Sequence, residues 1–305
     1  MPSALGDGIE HLAAGMEPDA PKLGSMSLPP SAAMRPMKTI VHISDLHFCM
    51  TDPALVEVLR EELNGAPPDL VAISGDLTMR ARSREYRAAR AFIDSLRAPV
   101  LAVPGNHDIT SYWLLERFSD PAKRWRRFIG EDPEPVWADD QIAVIGVDTT
   151  SRAGAILDWS QGRMGRSKLD RALRRLRELP DSLFRIVVAH HPFLPPPSAP
   201  STRLVRGAAP ALAAFAAAGV RLVLSGHLHQ AYARSFEPVT GGAHHALEMS
   251  GEGNSLVIVH AATTTSTRRR GEPNAYNRIR IVDGQAHVDL RIWDGRGWTS
   301  IEPCA

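Results

Sequence analysis

The chain has 305 residues, 44% hydrophobic and 23% charged, with a formal net charge of +1 and only two cysteines, Cys49 and Cys304. This describes a globular chain and excludes a disulfide framework or a CxxC zinc pattern. The near-neutral balance argues against dedicated nucleic-acid binding, and the longest apolar stretch, Ala208 to Val220, is interrupted by Pro210 and Gly219 and is too short to span a bilayer.

Residues 1–37 are rich in Ala, Pro, Gly, Ser and Met without an apolar period, so they read as a disordered leader in which Met34 or Met37 is an alternative start. They carry Asp7, Glu10, Glu17 and Asp19 in place of a basic and then apolar export signal, which makes the cytoplasm the expected location. Residues 38–305 read as one domain. Short Val- and Ile-rich runs predict buried strands at Thr39–Ile43, Leu70–Ile73, Val100–Val103, Ile142–Val147, Arg185–Ala189 and Arg221–Leu224. Helices are expected between them at Pro53–Leu63, Arg84–Leu96, Arg166–Leu179 and Ala208–Ala218. Asp52 stands as N-cap before Pro53, and a basic-aromatic helix with a buried stripe is expected around Arg124 to Phe128. After Gly241 the pattern turns to β, with strands at Ala243–Met249, Ser255–Val259, Tyr276–Val282 and Ala286–Trp293.

The polar residues that carry chemistry follow those buried runs: Ser44-Asp45-Leu46-His47, Gly75-Asp76-Leu77, Gly105-Asn106-His107-Asp108, His190-His191-Pro192 and Gly226-His227-Leu228-His229. Open α/β sheets bind ligands outside the carboxyl ends of their strands, so five such loops of one sheet can converge. Asp45 and His47, like His227 and His229, are two residues apart, a spacing that puts both side chains on one face of an extended chain. A lone histidine or aspartate at a strand end is ordinarily a satisfied polar residue. Seven of them in ordered blocks are a stronger signal. Carboxylate, imidazole and amide oxygen suit zinc, manganese, iron or cobalt, and a carboxylate can bridge two cations, with Asp76 the candidate. Two divalent cations against two aspartates and one hydroxide leave a positive centre suited to a phosphoryl group, the geometry of two-metal hydrolysis.

In this order the blocks resemble the calcineurin-like metallophosphoesterase superfamily, and in particular its bacterial cyclic-nucleotide and glycerophosphodiester phosphodiesterase branch, over about residues 38–285. The resemblance implies a four-layer α/β/β/α sandwich. It implies a dinuclear centre with Asp45, His47, Asp76 and His229 on one metal and Asp76, Asn106, His190 and His227 on the other. His107 would stand beside the phosphate, and a metal-bridging hydroxide would attack phosphorus. The implied activity is phosphodiester hydrolysis of a small phosphorylated substrate, with phosphomonoester or nucleotide-linked pyrophosphate hydrolysis as alternatives, a non-catalytic binding protein as a third, and a homodimer as the partner. Met79 stands where protein phosphatases place an acidic partner for the catalytic histidine, so the partner of His107 is left open. Asp108 and His191 are expected to support the site or face substrate, and Arg80 to reach phosphate. The block Thr263–Asn277, with Arg268, Arg269 and Arg270, either holds a phosphate or orders a loop.

Overall fold

The computed structural model describes residues 36–110, 113–151, 160–236 and 255–301. The leader up to residue 35 and the strand expected at 243–249 lie outside them. The first sheet is built on β1 (Lys38–Ile43), which is followed by α1 (Pro53–Gly65), β2 (Leu70–Ile73), α2 (Ser83–Ser95) and β3 (Val100–Ala102). A 3-10 turn at Asn106–Asp108, the short helices α3 (Leu114–Ser119) and α4 (Lys123–Phe128), and β4 (Val136–Ala138) lead into the second half. There β5 (Ile142–Val147), α5 (Arg166–Arg177), β6 (Phe184–Ala189), α6 (Ala208–Ala217), β7 (Val220–Ser225), β8 (Tyr232–Phe236) and β9 (Leu256–His260) follow. The chain ends in β10 (Ala275–Val282), β11 (Gln285–Trp293) and β12 (Trp298–Ile301). No helix among the described residues is long and apolar enough to cross a membrane.

The expected strands do not form one sheet. They divide into two, in the orders β12-β11-β10-β1-β2-β3 and β4-β5-β6-β7-β9-β8. The reason is visible in the alternation within each strand. Along β2, Leu70 and Ala72 join a cluster shared with Ile186, Val188, Leu222 and Leu224 of the other sheet, while Val71 and Ile73 pack with Leu55, Leu59 and Leu63 of α1 and Tyr86, Ala89 and Phe92 of α2. On the far side Val187, Ala189 and Val223 meet Ala211, Leu212 and Phe215 of α6. A continuous apolar run is required because each central strand is covered on both faces. Three apolar interfaces stack into the four layers α/β/β/α.

β1, β2 and β3 are parallel, as are β5, β6, β7 and β9, so the carboxyl ends of each parallel set fall together. Asp52 caps α1 as expected, accepting from Ala54 N at 2.9 Å, and α4 buries Trp125 beneath its arginines. The strands that periodicity does not find, β4, β8 and β12, lie at sheet edges. An edge strand has one neighbour and an open side, so it needs no unbroken apolar run.

Candidate metal centre

The convergence comes from both sheets: Asp45, Asp76 and Asn106 follow β1, β2 and β3, while His190 and His227 follow β6 and β7. It does not come from strand alternation. Asp45 (φ 53°), His47 (50°), Asp76 (54°), His227 (77°) and His229 (59°) all take left-handed backbone. For residues with a Cβ this costs about 1–2 kcal/mol each, and such strain gathers where surrounding structure holds side chains in a functional arrangement. Hydrogen bonds supply that hold. Asp45 N donates to Gly75 O at 3.1 Å, His47 N to Asp76 O at 2.9 Å and Gly226 N to His190 O at 3.0 Å, so each loop is laced to its neighbour. The loops approach too closely for side chains at their glycines. A Cβ on Gly75 would collide with His190 Nδ1 and Gly105 N, one on Gly105 with Asp76 Oδ1, and one on Gly226 with Ser44 Oγ and the Asp45 carboxylate.

Two groups of donor atoms result. Around Asp45, His229 Nε2 lies 3.3 Å from Asp45 Oδ1, His47 Nε2 3.3 Å from His229 Nε2, and His47 Nε2 3.7 Å from Asp45 Oδ1. Around Asn106, its Oδ1 lies 3.1 Å from His190 Nε2 and 2.9 Å from His227 Nδ1. Asp76 Oδ2 stands between them, 3.3 Å from His190 Nε2 and 3.9 Å from His47 Nε2.

The protons decide what these contacts are. Nδ1 of His47, His190 and His229 faces the carbonyls of Thr78 (3.4 Å), Ser74 (2.8 Å) and Arg268 (2.9 Å). A carbonyl only accepts, so Nδ1 carries a proton, and in the neutral ring that a metal requires Nε2 turns a lone pair inward. With the rings neutral, buried lone pairs of His47 and His229 face each other and Asp45 Oδ1, which has no hydrogen-bond donor among the described residues. Such a set is unfavourable with neutral imidazoles and suits a cation, and the oxygen and nitrogen donors fit a borderline first-row divalent ion. The charge balance agrees. Burial raises the Asp45 carboxyl, but His229 and His190 more than offset it and hold the group below the ordinary carboxylate range. Burial would keep His190 neutral, yet Asp76 and Asp45 push it up to about 9. Burial dominates at His47 and His227, which fall to about 4.

His107 occupies the rim. Its backbone N–H donates to Asp76 Oδ1 at 2.8 Å, and its ring lies edge-on to His47 with centroids 4.9 Å apart. The partner left open by Met79 is a main-chain atom: His107 Nδ1 donates to Met79 O at 2.8 Å, so the side chain at that position is free to vary. The Asp108 carboxylate is a clamp, accepting from Leu77 N (3.2 Å), Thr78 N (2.8 Å), Thr78 Oγ1 (2.9 Å) and Gly105 N (3.0 Å). Asp108→Ala leaves these buried donors unpaired, at about 1–3 kcal/mol each when unrelieved, and is expected to lower unfolding stability in urea by more than about 3 kcal/mol.

His191 packs its ring against His190 and His227, with both centroid distances 4.9 Å, and Thr149 Oγ1 lies 2.7 Å from its Nδ1. These contacts place it beside the second donor group. Arg80 is exposed, its backbone N–H bonded to Glu85 at 2.7 Å. The sequence offers Arg268 only as one of three arginines in a block that holds a phosphate or orders a loop; of the three, it is the one whose Nη1 lies 3.2 Å from His107 Nε2. Its signal was the Thr263–Asn277 block, which straps the site: Thr264 N donates to Ser44 O at 3.1 Å, Thr267 N to Met50 O at 2.7 Å and Ala231 N to Glu272 at 3.0 Å.

Comparison with known proteins follows the same residues. Over 209 residues the chain is 30% identical to a probable cyclic nucleotide phosphodiesterase of Synechococcus, covering 64% of this chain and 74% of that protein. Over 170 residues it is 30% identical to the glycerophosphodiester phosphodiesterase GpdQ of Enterobacter lignolyticus, covering 51% of this chain and 57% of that protein, so the match spans little more than half of GpdQ's length. Among solved structures, a dimetal phosphatase from Danio rerio shares the fold with a TM-score of 0.57 and 11% identity, over 87% of this chain and 97% of that one. The family model for calcineurin-like phosphoesterases matches residues 38–231, which contain Asp45, His47, Asp76, Asn106, His190, His227 and His229, and the chain belongs to that family.

Proposed function

We propose that this chain is a phosphodiesterase that works with two divalent cations. One observation carries the reading: side chains from both sheets bring carboxylate, imidazole and amide-oxygen atoms onto one another in a buried cluster. Asp45, His47, Asp76 and His229 would hold one ion, and Asp76, Asn106, His190 and His227 the other, with manganese, iron, zinc or cobalt suited to the set. When bound, such ions supply Lewis acidity toward phosphoryl oxygens and lower the pKa of a water in the site.

The chain's own residues do the rest. Two buried carboxylates are too few to neutralise two divalent ions, so the centre stays positive and draws in a phosphodiester anion. Asn106 turns Oδ1 toward His190 and His227, which leaves its amide N–H groups for a phosphoryl oxygen. His107, anchored through Nδ1 to Met79 O, presents Nε2 as the atom that passes a proton to the departing alkoxide. The names of the two phosphodiesterase relatives support diester specificity. With manganese-loaded protein, kcat/KM is expected to be highest on bis(p-nitrophenyl) phosphate, below it on p-nitrophenyl phosphate and on a nucleoside diphosphate sugar. Preference for either of the last two overturns the diester reading in favour of a monoesterase or a pyrophosphate hydrolase.

Metal binding is also a titration. His190 is charged at neutral pH in the metal-free protein and must lose its proton to donate Nε2, so loading releases protons and affinity rises with pH toward 9. Calorimetric titration of manganese at pH 7 in buffers of different ionisation enthalpy is expected to show that release. Chelation is expected to lower stability by about 2.7 kcal/mol for each ion removed, relative to protein held at a hundredfold excess over Kd. Equal apparent heats in all buffers would contradict this.

A further inference from the structure

Resting on the phosphoesterase reading, we infer that Arg268 is the phosphate-binding arginine of this site. Its position is set twice. The main chain is fixed because Arg268 O accepts from His229 Nδ1 at 2.9 Å, Arg268 N donates to Ser266 Oγ at 3.1 Å, and Ser266 and Thr267 are held on Met50 O. From that anchor the side chain crosses to the opposite rim, where Nη1 lies 3.2 Å from His107 Nε2 and 4.0 Å from Met79 Sδ.

Because His107 Nδ1 already donates to Met79 O, Nε2 is the acceptor and the guanidinium the donor. A guanidinium has five N–H donors, and one neutral imidazole uses one of them. Among the described residues no carboxylate pairs with Arg268, in contrast to Arg124, Arg171 and Arg280, which are each matched to an acid. An exposed cation with spare, forked donors, held within reach of the histidine assigned to the leaving group, is matched by the planar oxygens of a phosphoryl group. Thr263–Asn277 thereby both orders the loop and binds phosphate.

The test is the affinity of inorganic phosphate for manganese-loaded protein, measured by calorimetry and as a competitive inhibition constant, in wild type, R268Q and R268K, with metal content and Tm recorded for each. Both variants keep the main-chain carbonyl that orients His229. Loss of one charge-assisted contact predicts weakening of about tenfold to a hundredfold in R268Q, with partial recovery in R268K, which keeps the charge without the fork. Phosphate affinity per loaded site within twofold of wild type in R268Q overturns the assignment, including where metal content or Tm falls, since Arg268 would then act only as a strap. Wild-type protein that binds metal but neither binds phosphate nor hydrolyses any phosphoester overturns the phosphoesterase reading instead.

Discussion

Asp76→Asn is expected to abolish turnover, lowering kcat/KM on bis(p-nitrophenyl) phosphate by at least about 10³-fold, a loss larger than removal of a single stabilising hydrogen-bond donor produces. Asp76 sits between the two donor groups, 3.3 Å from His190 and 3.9 Å from His47, and an amide cannot bridge two cations as a carboxylate does. Metal content by elemental analysis is expected to fall together with activity. The fold is expected to survive, but Tm of the chelated variant is expected to fall below that of the chelated wild type, because an amide no longer pairs with the charged, buried His190. Retained metal and retained turnover would place the centre elsewhere.

His107→Ala is expected to separate chemistry from metal binding. The ring belongs to neither donor group, and the contact that ties this residue to Asp76 is made by its backbone N–H, which alanine keeps. kcat is therefore expected to fall by about 10²- to 10⁴-fold, the range of a lost general acid, with metal content unchanged. The loss should be smaller on substrates whose leaving group needs no proton: a nitrophenolate ester should suffer less than an alkyl ester. An equal loss on both would assign His107 to electrostatic stabilisation of the phosphoryl group rather than to proton delivery.

The sequence made the donor set legible because buried strands advertise themselves. Runs such as Ile142–Val147 and Leu70–Ile73 are apolar throughout since both faces are covered, and the polar residues immediately after them stand out. Blocks of several chemically matched residues in order carry more information than any single histidine. What could not be read was how the chain bends after each strand. Asp45 and His47 do share a target, but through two left-handed residues and not through an extended backbone, and single-residue φ is set by the neighbouring loops. The partition into two sheets was equally hidden in the strands themselves: the alternation of β2 reads as apolar on both faces whether the cover is a helix or another sheet. Main-chain partners leave no side-chain signature, which is why Met79 gave no sign of its carbonyl bond to His107. Arg268 reaches the site across 161 positions of sequence, a separation that no local pattern spans. His42 illustrates the opposite case: within a strand, it is a core residue as its position suggests, bonded to Ser74 at 2.9 Å and held neutral by burial at a pKa of about 3.

The most direct test is anomalous diffraction from crystals of manganese-loaded protein. Two peaks about 3.5–4 Å apart, with the Asp76 carboxylate between them, His47 and His229 on one and His190 and His227 on the other, are the predicted result. A single peak, or a pair held by other residues, would contradict it.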